Sequence, residues 1–299
     1  MQNNSIKGHM AAFSANAIYG ISVIINKSLF TAGWMTPLGI IFVRFGFGIL
    51  FFWTMSFFTA KEKVERKDFL MIAAGGVIGL VVTQAAYYSA LKLTAPIFMS
   101  LISSMTPIIV LLLSAIFLRD PISFKKAVGV IIGISGATLV ILKKGSAGTS
   151  SSTFIGITLA MINLVSYSAY LVMIRKVSIK YHPVTVMKWM FVWAFIFAIP
   201  LCITELPKQR LFSSEATILP VLQLGYVLFL TCALGLFLVT IALKCTKATT
   251  YSMYMNMQPL IASFAAIAIG QDFFSWDKLL ALVLIVSGVI LVTQTKERF

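Results

Sequence analysis

Side chains that could do chemistry are placed almost entirely outside the apolar stretches of this sequence. Catalysis within a membrane would need paired carboxylates, metal ligands or a Ser–His pair inside an apolar run, and none occurs. The three cysteines form no CxxC pair. We therefore predict that the protein is not an enzyme and binds no metal or cofactor. The apolar runs also contain no Asp or Glu that could relay protons across a membrane. All nine acids and both histidines lie in connections or at the ends of runs: Glu62, Glu65, Asp68, Asp120, Glu205, Glu215, Asp272, Asp277, Glu297, His9 and His182.

Three cations are exceptions, because they fall within apolar runs. Arg44 lies seven residues after Pro37, roughly 10 Å along a helix. A charge at that depth costs at least ~2.5 kcal/mol on insertion scales. Either backbone carbonyls and water accept the hydrogen bonds of Arg44, or an anionic group of a substrate does so transiently. Lys188 and Lys27 lie about one turn from the ends of their runs, where snorkelling towards the interface is the simpler interpretation. We include Lys188 among the candidate cavity residues.

Two prolines mark the second candidate feature. Pro107 and Pro259 lie inside apolar runs, and a proline within a helix frees the carbonyl four residues earlier, here that of Ser103 and of Met255. Broken helices at mid-membrane are where transporters bind substrate, so we predict a hinge or binding site. A packing kink is the alternative. Polar residues crowd the same places: Ser103, Ser104, Thr106, Asn256 and Gln258.

Further polar residues share helix faces. Asn16 and Tyr19 are spaced i, i+3, and Asn163 and Tyr167 are spaced i, i+4. Hydrogen bonds between helices could explain each one singly. Together they suggest an uncharged, aromatic pocket with a cationic rim. The set is completed by Gln84, Tyr88 and Tyr254.

The elements that must position these residues are membrane spans. Hydrophobic residues make up 59% of the 299 residues and charged residues only 11%, with a mean hydropathy of +0.96. These values exclude an ordinary soluble domain. Runs of about 20 apolar residues, enough to cross a bilayer, recur throughout. We predict an all-α polytopic membrane protein with ten transmembrane helices, at 10–30, 37–58, 69–90, 95–118, 125–142, 153–174, 185–204, 218–242, 248–269 and 278–295.

The charge distribution predicts the orientation. The net charge is +15, and the basic residues are scattered over short connections rather than forming a nucleic-acid-binding patch. With a cytoplasmic N-terminus, the inner segments hold 15 Lys and Arg residues and the outer ones six. The positive-inside rule therefore predicts that both termini are cytoplasmic.

An internal repeat divides the chain at an offset of 152 residues. Ala90–Thr94 matches Ala242–Thr246, and residues 90–144 are identical to 242–296 at 16 of 55 positions. The matches include Pro107 with Pro259 and Asp120 with Asp272, which apolar composition does not explain. Five spans per half place the halves in opposite orientations, as in secondary transporters. We predict one repeat over 1–144, a Gly/Ser-rich linker over 145–152 and a second repeat over 153–299.

The chain resembles the EamA branch of the drug/metabolite transporter superfamily over nearly its whole length. The resemblance depends on Tyr19-Gly20, Pro37 to Phe45, Ala90–Thr94, Pro107 and the stretch from Asp120 to Gly136, which is similar to the family's Glu-x-x-Ser…Gly…Gly signature but begins with Asp. It implies a carrier in which spans one to four and six to nine surround a central cavity, located in the bacterial cytoplasmic (inner) membrane.

The expected function is secondary transport, by export or exchange, of small organic metabolites such as amino acids through alternating access. A channel-like facilitator and a non-transporting scaffold or sensor are the alternatives. The expected partners are a small-molecule substrate and the lipid bilayer, without nucleic acid. The spacing Gly129-x-x-x-Gly133 suggests close helix packing and a possible homodimer contact.

Overall fold

The computed structural model describes residues 2–93, 102–144, 154–213, 216–268 and 276–293, and within these ranges all regular structure is helical. Two short 3₁₀ helices, Ile203–Lys208 and Arg210–Phe212, follow the α-helix Pro183–Cys202. The α-helices are α1 (Gln2–Thr31), α2 (Pro37–Ser56), α3 (Arg66–Ala74), α4 (Thr83–Leu93), α5 (Thr106–Phe117), α6 (Phe124–Lys144), α7 (Phe154–Ser178), α8 (Pro183–Cys202), α9 (Ile218–Gly225), α10 (Leu236–Cys245), α11 (Ala248–Met255), α12 (Gln258–Ala268) and α13 (Trp276–Thr293).

Six helical stretches of the described chain are long and apolar enough to cross a membrane. Two shorter apolar helices, Ile102–Phe117 and Leu279–Thr293, accompany them. The all-helical class and the membrane-spanning character are therefore confirmed. The count of ten spans and the inverted repeat stay predictions, and the linker 145–152 and Asp272 lie outside the described residues. The six stretches are Ser5–Thr31, Pro37–Ser56, Arg66–Ala90, Phe154–Ser178, Pro183–Lys208 and Ile218–Cys245.

Two membrane helices contain a segment of widened turns with i→i+5 hydrogen bonding. Gly75–Val82 joins α3 to α4, and Tyr226–Gly235 joins α9 to α10. We call them the first and second wide segments. Their starts are 151 residues apart, close to the repeat offset. Such turns are rare and often occur at functional sites, and nothing in the sequence predicted them.

Pro107 and Pro259 occupy a different position from the one we expected. The chain makes a turn at Met105 and again at Asn256–Met257, and new helices begin at Thr106 and Gln258. Each proline is therefore the second residue of a helix, where its missing N–H would have no intrahelical partner in any case. The sequence predicted helices broken at these prolines, and the structure places each proline just after the break rather than at the centre of a kinked helix. A hinge or binding role for them stays a prediction. The two breaks nevertheless begin new helices 152 residues apart.

An ionic contact, which we call the charged clamp, joins the loop after α2 and the first turn of α3 to the loop after α7. Asp68 Oδ2 accepts hydrogen bonds from Lys180 Nζ and Tyr181 Oη, both at 2.9 Å. Glu62 Oε2 accepts a third from the backbone N–H of His182, at 2.8 Å. The hydrogen bond to Asp68 raises the pKa of Lys180 above its ordinary value. The clamp therefore ties the two halves of the chain together at one end of the bundle.

An uncharged contact, which we call the amide latch, closes the other end, where α2 begins. Gln209 Oε1 accepts from the N–H of Thr36 at 2.7 Å, and Gln209 Nε2 donates to Thr36 Oγ1 at 2.9 Å and to the carbonyl of Glu205. Thr36 Oγ1 also accepts from the N–H of Gly39, which caps α2. The latch fixes the loop after α8 to the helix that carries Arg44.

Close backbone contact joins α6 to α13. A Cβ added to Gly288 would lie 2.6 Å from the carbonyl oxygen of Gly129 and 2.8 Å from the nitrogen of Gly133, so only glycine permits this approach. The glycine stripe that suggested a dimer contact is therefore covered by a helix of the same chain. The homodimer stays a prediction without support from that stripe.

Candidate functional site

Arg44 lies near the middle of α2 and is 6% exposed. Its Nη1 donates to Gln84 Oε1 at 3.1 Å and to Tyr88 Oη at 3.4 Å, both on α4. Its Nε has no hydrogen-bond partner. Within the described residues, the ion pairs of the chain do not include Arg44. The structure thus joins three of the residues singled out by sequence around a buried guanidinium with spare hydrogen-bonding capacity.

The two wide segments lie next to Arg44. Cys232 of the second wide segment donates its thiol to the carbonyl of Arg44 at 3.3 Å. Gln84 is two residues beyond the end of the first wide segment. One wide segment therefore contacts the backbone of Arg44, and the other ends two residues before the glutamine that binds its guanidinium. The two segments lie in different halves of the chain.

Helix α7 contacts the first wide segment through one face. Asn163 Nδ2 donates to the carbonyl of Thr83 at 2.9 Å, and Tyr170 packs directly against Gly79. Tyr167 lies between them on the same face, with its ring centroid 5.6 Å from that of Tyr170. Asn163 therefore satisfies a backbone carbonyl, while the two tyrosines extend towards the interior.

Tyrosines from three helices meet in this region. Tyr19 of α1 is within electrostatic range of Arg44, Tyr167 and Tyr170, and Tyr251 of α11 lies beside Tyr167. Tyr170 and Tyr251 are both fully buried, and neither hydroxyl forms a hydrogen bond. We call the combined set the central polar cluster: Tyr19, Arg44, Gln84, Tyr88, Tyr167, Tyr170 and Tyr251.

A second pair of predicted residues connects α1 to α12. Gln258 Nε2 donates to Asn16 Oδ1 at 2.6 Å, and Asn16 Nδ2 donates to the carbonyl of Ala12 at 2.8 Å. Asn16 is fully buried. The pair ties the first helix of the chain to the helix that begins at the second break, where we expected polar contacts between helices.

Four predicted residues lie elsewhere. The Nζ of Lys188 is 5.4 Å from the ring centroid of Trp53 and 5.7 Å from that of Trp189. Tyr254 Oη is 3.0 Å from His9 Nδ1 at the start of α1. Asn256 is buried beside Gly133 of α6 without hydrogen bonds to its amide, and the carbonyl of Ser103 accepts from Thr106 Oγ1. The side chain of Lys27 is outside the described part of the chain.

Sequence reasoning left Tyr170 and Tyr251 out of the candidate set. Asn163, Tyr167 and Tyr170 follow the i, i+4, i+7 pattern of one helix face, so the extension to Tyr170 was available. Tyr251 was considered only together with Tyr254, one turn away, as a pair of rings that could stack on a substrate. Its position beside Tyr167 depends on how α11 packs after the break, which periodicity does not show.

Comparison with known proteins gives the class of protein. Residues 6–142 and 154–294 each match the EamA-like transporter family. An uncharacterized transporter of Bacillus subtilis (strain 168), YyaM, is 24% identical over 89% of this chain and 87% of its own length. An uncharacterized transporter of Archaeoglobus fulgidus is 27% identical over 52% of this chain and 54% of its own. A WAT1-related protein of Arabidopsis thaliana is 35% identical over 28% of this chain and 23% of its own.

A crystal structure with 18% sequence identity superposes with a TM-score of 0.78, covering 97% of this chain and 99% of the other. At that identity the likeness concerns the fold alone. The family match confirms that the chain is a transporter rather than an enzyme, set in a lipid bilayer and acting on a small molecule. With two matches that together span nearly all its residues, the chain belongs to the EamA-like transporter family.

Proposed function

We propose that this protein is a secondary transporter that exports or exchanges small organic metabolites bearing a carboxylate, amino acids being the leading candidates. It would act by alternating access in the bacterial cytoplasmic membrane, with both termini in the cytoplasm. The observation that carries the substrate class is the buried Arg44, whose Nε lacks a partner. A guanidinium binds a carboxylate through two parallel hydrogen bonds, and an incoming substrate would supply the missing acceptor.

The tyrosines would complete the substrate site. A buried hydroxyl without a hydrogen bond costs about 1–3 kcal/mol, so two such groups within the central polar cluster need a reason. Tyr170 and Tyr251 would donate to or accept from the polar groups of the bound metabolite. The aromatic rings of Tyr167 and Tyr88 would contact its apolar part.

Access to Arg44 requires movement, because four members of the central polar cluster, Arg44 among them, are buried. Arg44, Tyr88, Tyr170 and Tyr251 are all nearly or fully buried. The charged clamp and the amide latch lie at opposite ends of the bundle, so releasing one and then the other would open the site alternately to each side. The wide segments would allow the helices around Arg44 to rearrange.

Several observations support ten spans in two inverted repeats. The family matches once in each half. The wide segments and the two helix breaks recur at separations of 151 and 152 residues. An odd number of spans in each half reverses the orientation of the second, which is the arrangement that secondary transporters use to build a site at the interface of their halves.

Counterflow into proteoliposomes tests the proposal. The purified protein is reconstituted into liposomes that are loaded with unlabelled amino acids and organic acids. Uptake of the same compounds in labelled form is then followed without a pH gradient. We expect saturable accumulation of one carboxylate-bearing class. Arg44→Gln should abolish it, and Arg44→Lys, which keeps the charge without the fork of donors, should weaken it. Arg66→Gln is the matched control at an exposed position and should retain the parent rate.

The outcomes separate the alternatives. Uptake that neither saturates nor responds to substrate on the other side would indicate a channel-like facilitator. Unchanged counterflow by a folded Arg44→Gln variant would reject the assignment of Arg44 to substrate binding. Size-exclusion profiles and thermal unfolding midpoints of each variant show whether a loss of transport reflects a loss of folding.

A further inference from the structure

A separate polar cavity of about 150 Å³ lies at the end of the bundle where α1 begins. Its lining includes Ser5 and His9 of α1, Lys126 of α6, and residues 245–247, 249 and 250. Gly8 allows this arrangement, since a Cβ there would lie 2.6 Å from Thr246 Cγ2. None of these residues belongs to the central polar cluster, so the cavity is distinct from the proposed transport site.

The N-terminus of α11 forms one wall of the cavity. Lys247 precedes the helix, and no side chain caps it. The first backbone hydrogen bond within the helix runs from the N–H of Tyr251 to the carbonyl of Lys247, at 3.0 Å. The N–H groups of the first turn therefore have no intrahelical acceptor. Free N–H groups and the positive end of the helix dipole favour an anion at this position.

Thr249 gives an independent indication of a ligand. Thr249 lines the cavity and is 1% exposed, and its hydroxyl has no hydrogen-bond partner. A hydroxyl withdrawn from water normally forms a hydrogen bond inside the protein. An oxygen of a ligand in the cavity would accept from it.

Two lysines add positive charge from separate elements. Lys126 is 2% exposed and donates from Nζ to the carbonyl of Pro121 at 2.8 Å. Lys247 is partly buried, and this burial lowers its pKa, an effect that Asp120 opposes while Lys126 and Arg175 reinforce it. A bound anion would stabilise both ammonium groups.

We propose that this cavity binds a phosphate group. Its donors would come from a helix N-terminus, a threonine hydroxyl and lysines on two separate elements, and a tetrahedral oxyanion offers more acceptors to such a set than a planar carboxylate does. The volume accommodates inorganic phosphate with ordered water. A phosphate monoester and the headgroup of an anionic phospholipid offer the same chemistry, and the cavity lies at the end of the bundle expected to face the cytoplasm.

The test uses the full-length protein in nanodiscs of phosphatidylcholine, titrated calorimetrically with inorganic phosphate at a constant chloride concentration. We expect saturable binding that weakens at least tenfold in Thr249→Val and in Lys247→Gln. Lys125→Gln changes an exposed lysine beside Lys126, and Thr231→Val removes another buried hydroxyl without a partner. Both control variants should bind phosphate like the parent.

A second arm uses nanodiscs that contain phosphatidylglycerol. If this lipid suppresses phosphate binding and raises the thermal midpoint of the parent but not of Lys247→Gln, the site holds a lipid headgroup. If phosphate binds equally in both nanodiscs, the site takes the soluble anion. The proposal is overturned if neither phosphate nor phosphatidylglycerol distinguishes the parent from Thr249→Val and Lys247→Gln. Transport is not measured in either arm, so the outcome is independent of the proposed function.

Discussion

Substitution of Tyr251 can distinguish a structural role of its hydroxyl from a role in substrate binding. Its hydroxyl is fully buried without a hydrogen bond, so removing the oxygen relieves a desolvation cost. A group retained for folding would behave in the opposite way. The same reasoning applies to Tyr170, which lies on α7 against the first wide segment.

Tyr251→Phe should therefore leave the thermal unfolding midpoint unchanged or raise it. If its hydroxyl binds substrate, the KM for counterflow should rise about tenfold, which corresponds to about 1.4 kcal/mol. Tyr226→Phe is the matched control, because the hydroxyl of Tyr226 already donates to the carbonyl of Ile18 at 3.0 Å. It should lower stability by about 0.5–1.5 kcal/mol with an unchanged KM. A lower midpoint with an unchanged KM in Tyr251→Phe would contradict the prediction.

Sequence reasoning at the residue level singled out side chains that are chemically out of place, and their role in a cavity stays a prediction. Arg44 was identified because a charge within an apolar run needs compensation, and Asn16 and Gln258 because amides there need partners. Lys188 was equally out of place, but the structure sets it against two tryptophan rings. Sequence spacing cannot distinguish these cases, since it does not show which helix packs against the cation.

At the scale of elements, the contact between α6 and α13 depends on the absence of side chains. Gly288→Ala would place a methyl group 2.6 Å from the carbonyl oxygen of Gly129. The helices would have to separate, at a cost of about 1–3 kcal/mol. A thermal unfolding series measures this as a lower midpoint.

Gly225→Ala is the control, since a Cβ at Gly225 would meet nothing within 4 Å. The greater helix propensity of alanine should raise stability by up to about 1 kcal/mol. Equal midpoints for Gly288→Ala and Gly225→Ala would show that the approach of α6 to α13 is not as close as described.

Element boundaries were predicted well where local chemistry sets them. The start of α2 at Pro37 follows from the threonine cap and the proline at the first helical position. The two prolines predicted where the helices break, but not that a turn precedes each proline. That turn lets a new helix begin at the proline. The wide segments carry no compositional signal, because their altered hydrogen bonding depends on packing between helices.

At the scale of the whole molecule, the predicted orientation can be checked by labelling. In a background without native cysteines, Lys63→Cys and Lys208→Cys place thiols in connections at opposite ends. A membrane-impermeant maleimide applied to intact cells should label Lys208→Cys. It should label Lys63→Cys only after the cells are permeabilised, because basic connections remain in the cytoplasm. Equal labelling of both in intact cells, or the reverse pattern, would refute the cytoplasmic assignment of the termini.

The contacts at the two ends of the bundle should depend differently on salt concentration. Lys180 of the charged clamp is 48% exposed, so mobile counter-ions, which screen charges over about 8 Å at physiological concentration, weaken its attraction to Asp68. The amide latch carries no formal charge, and the same ions leave it nearly unaffected. In the proposed cycle, the salinity of the cell would itself bias which side of the membrane the carrier opens towards, without any regulatory ligand or covalent modification.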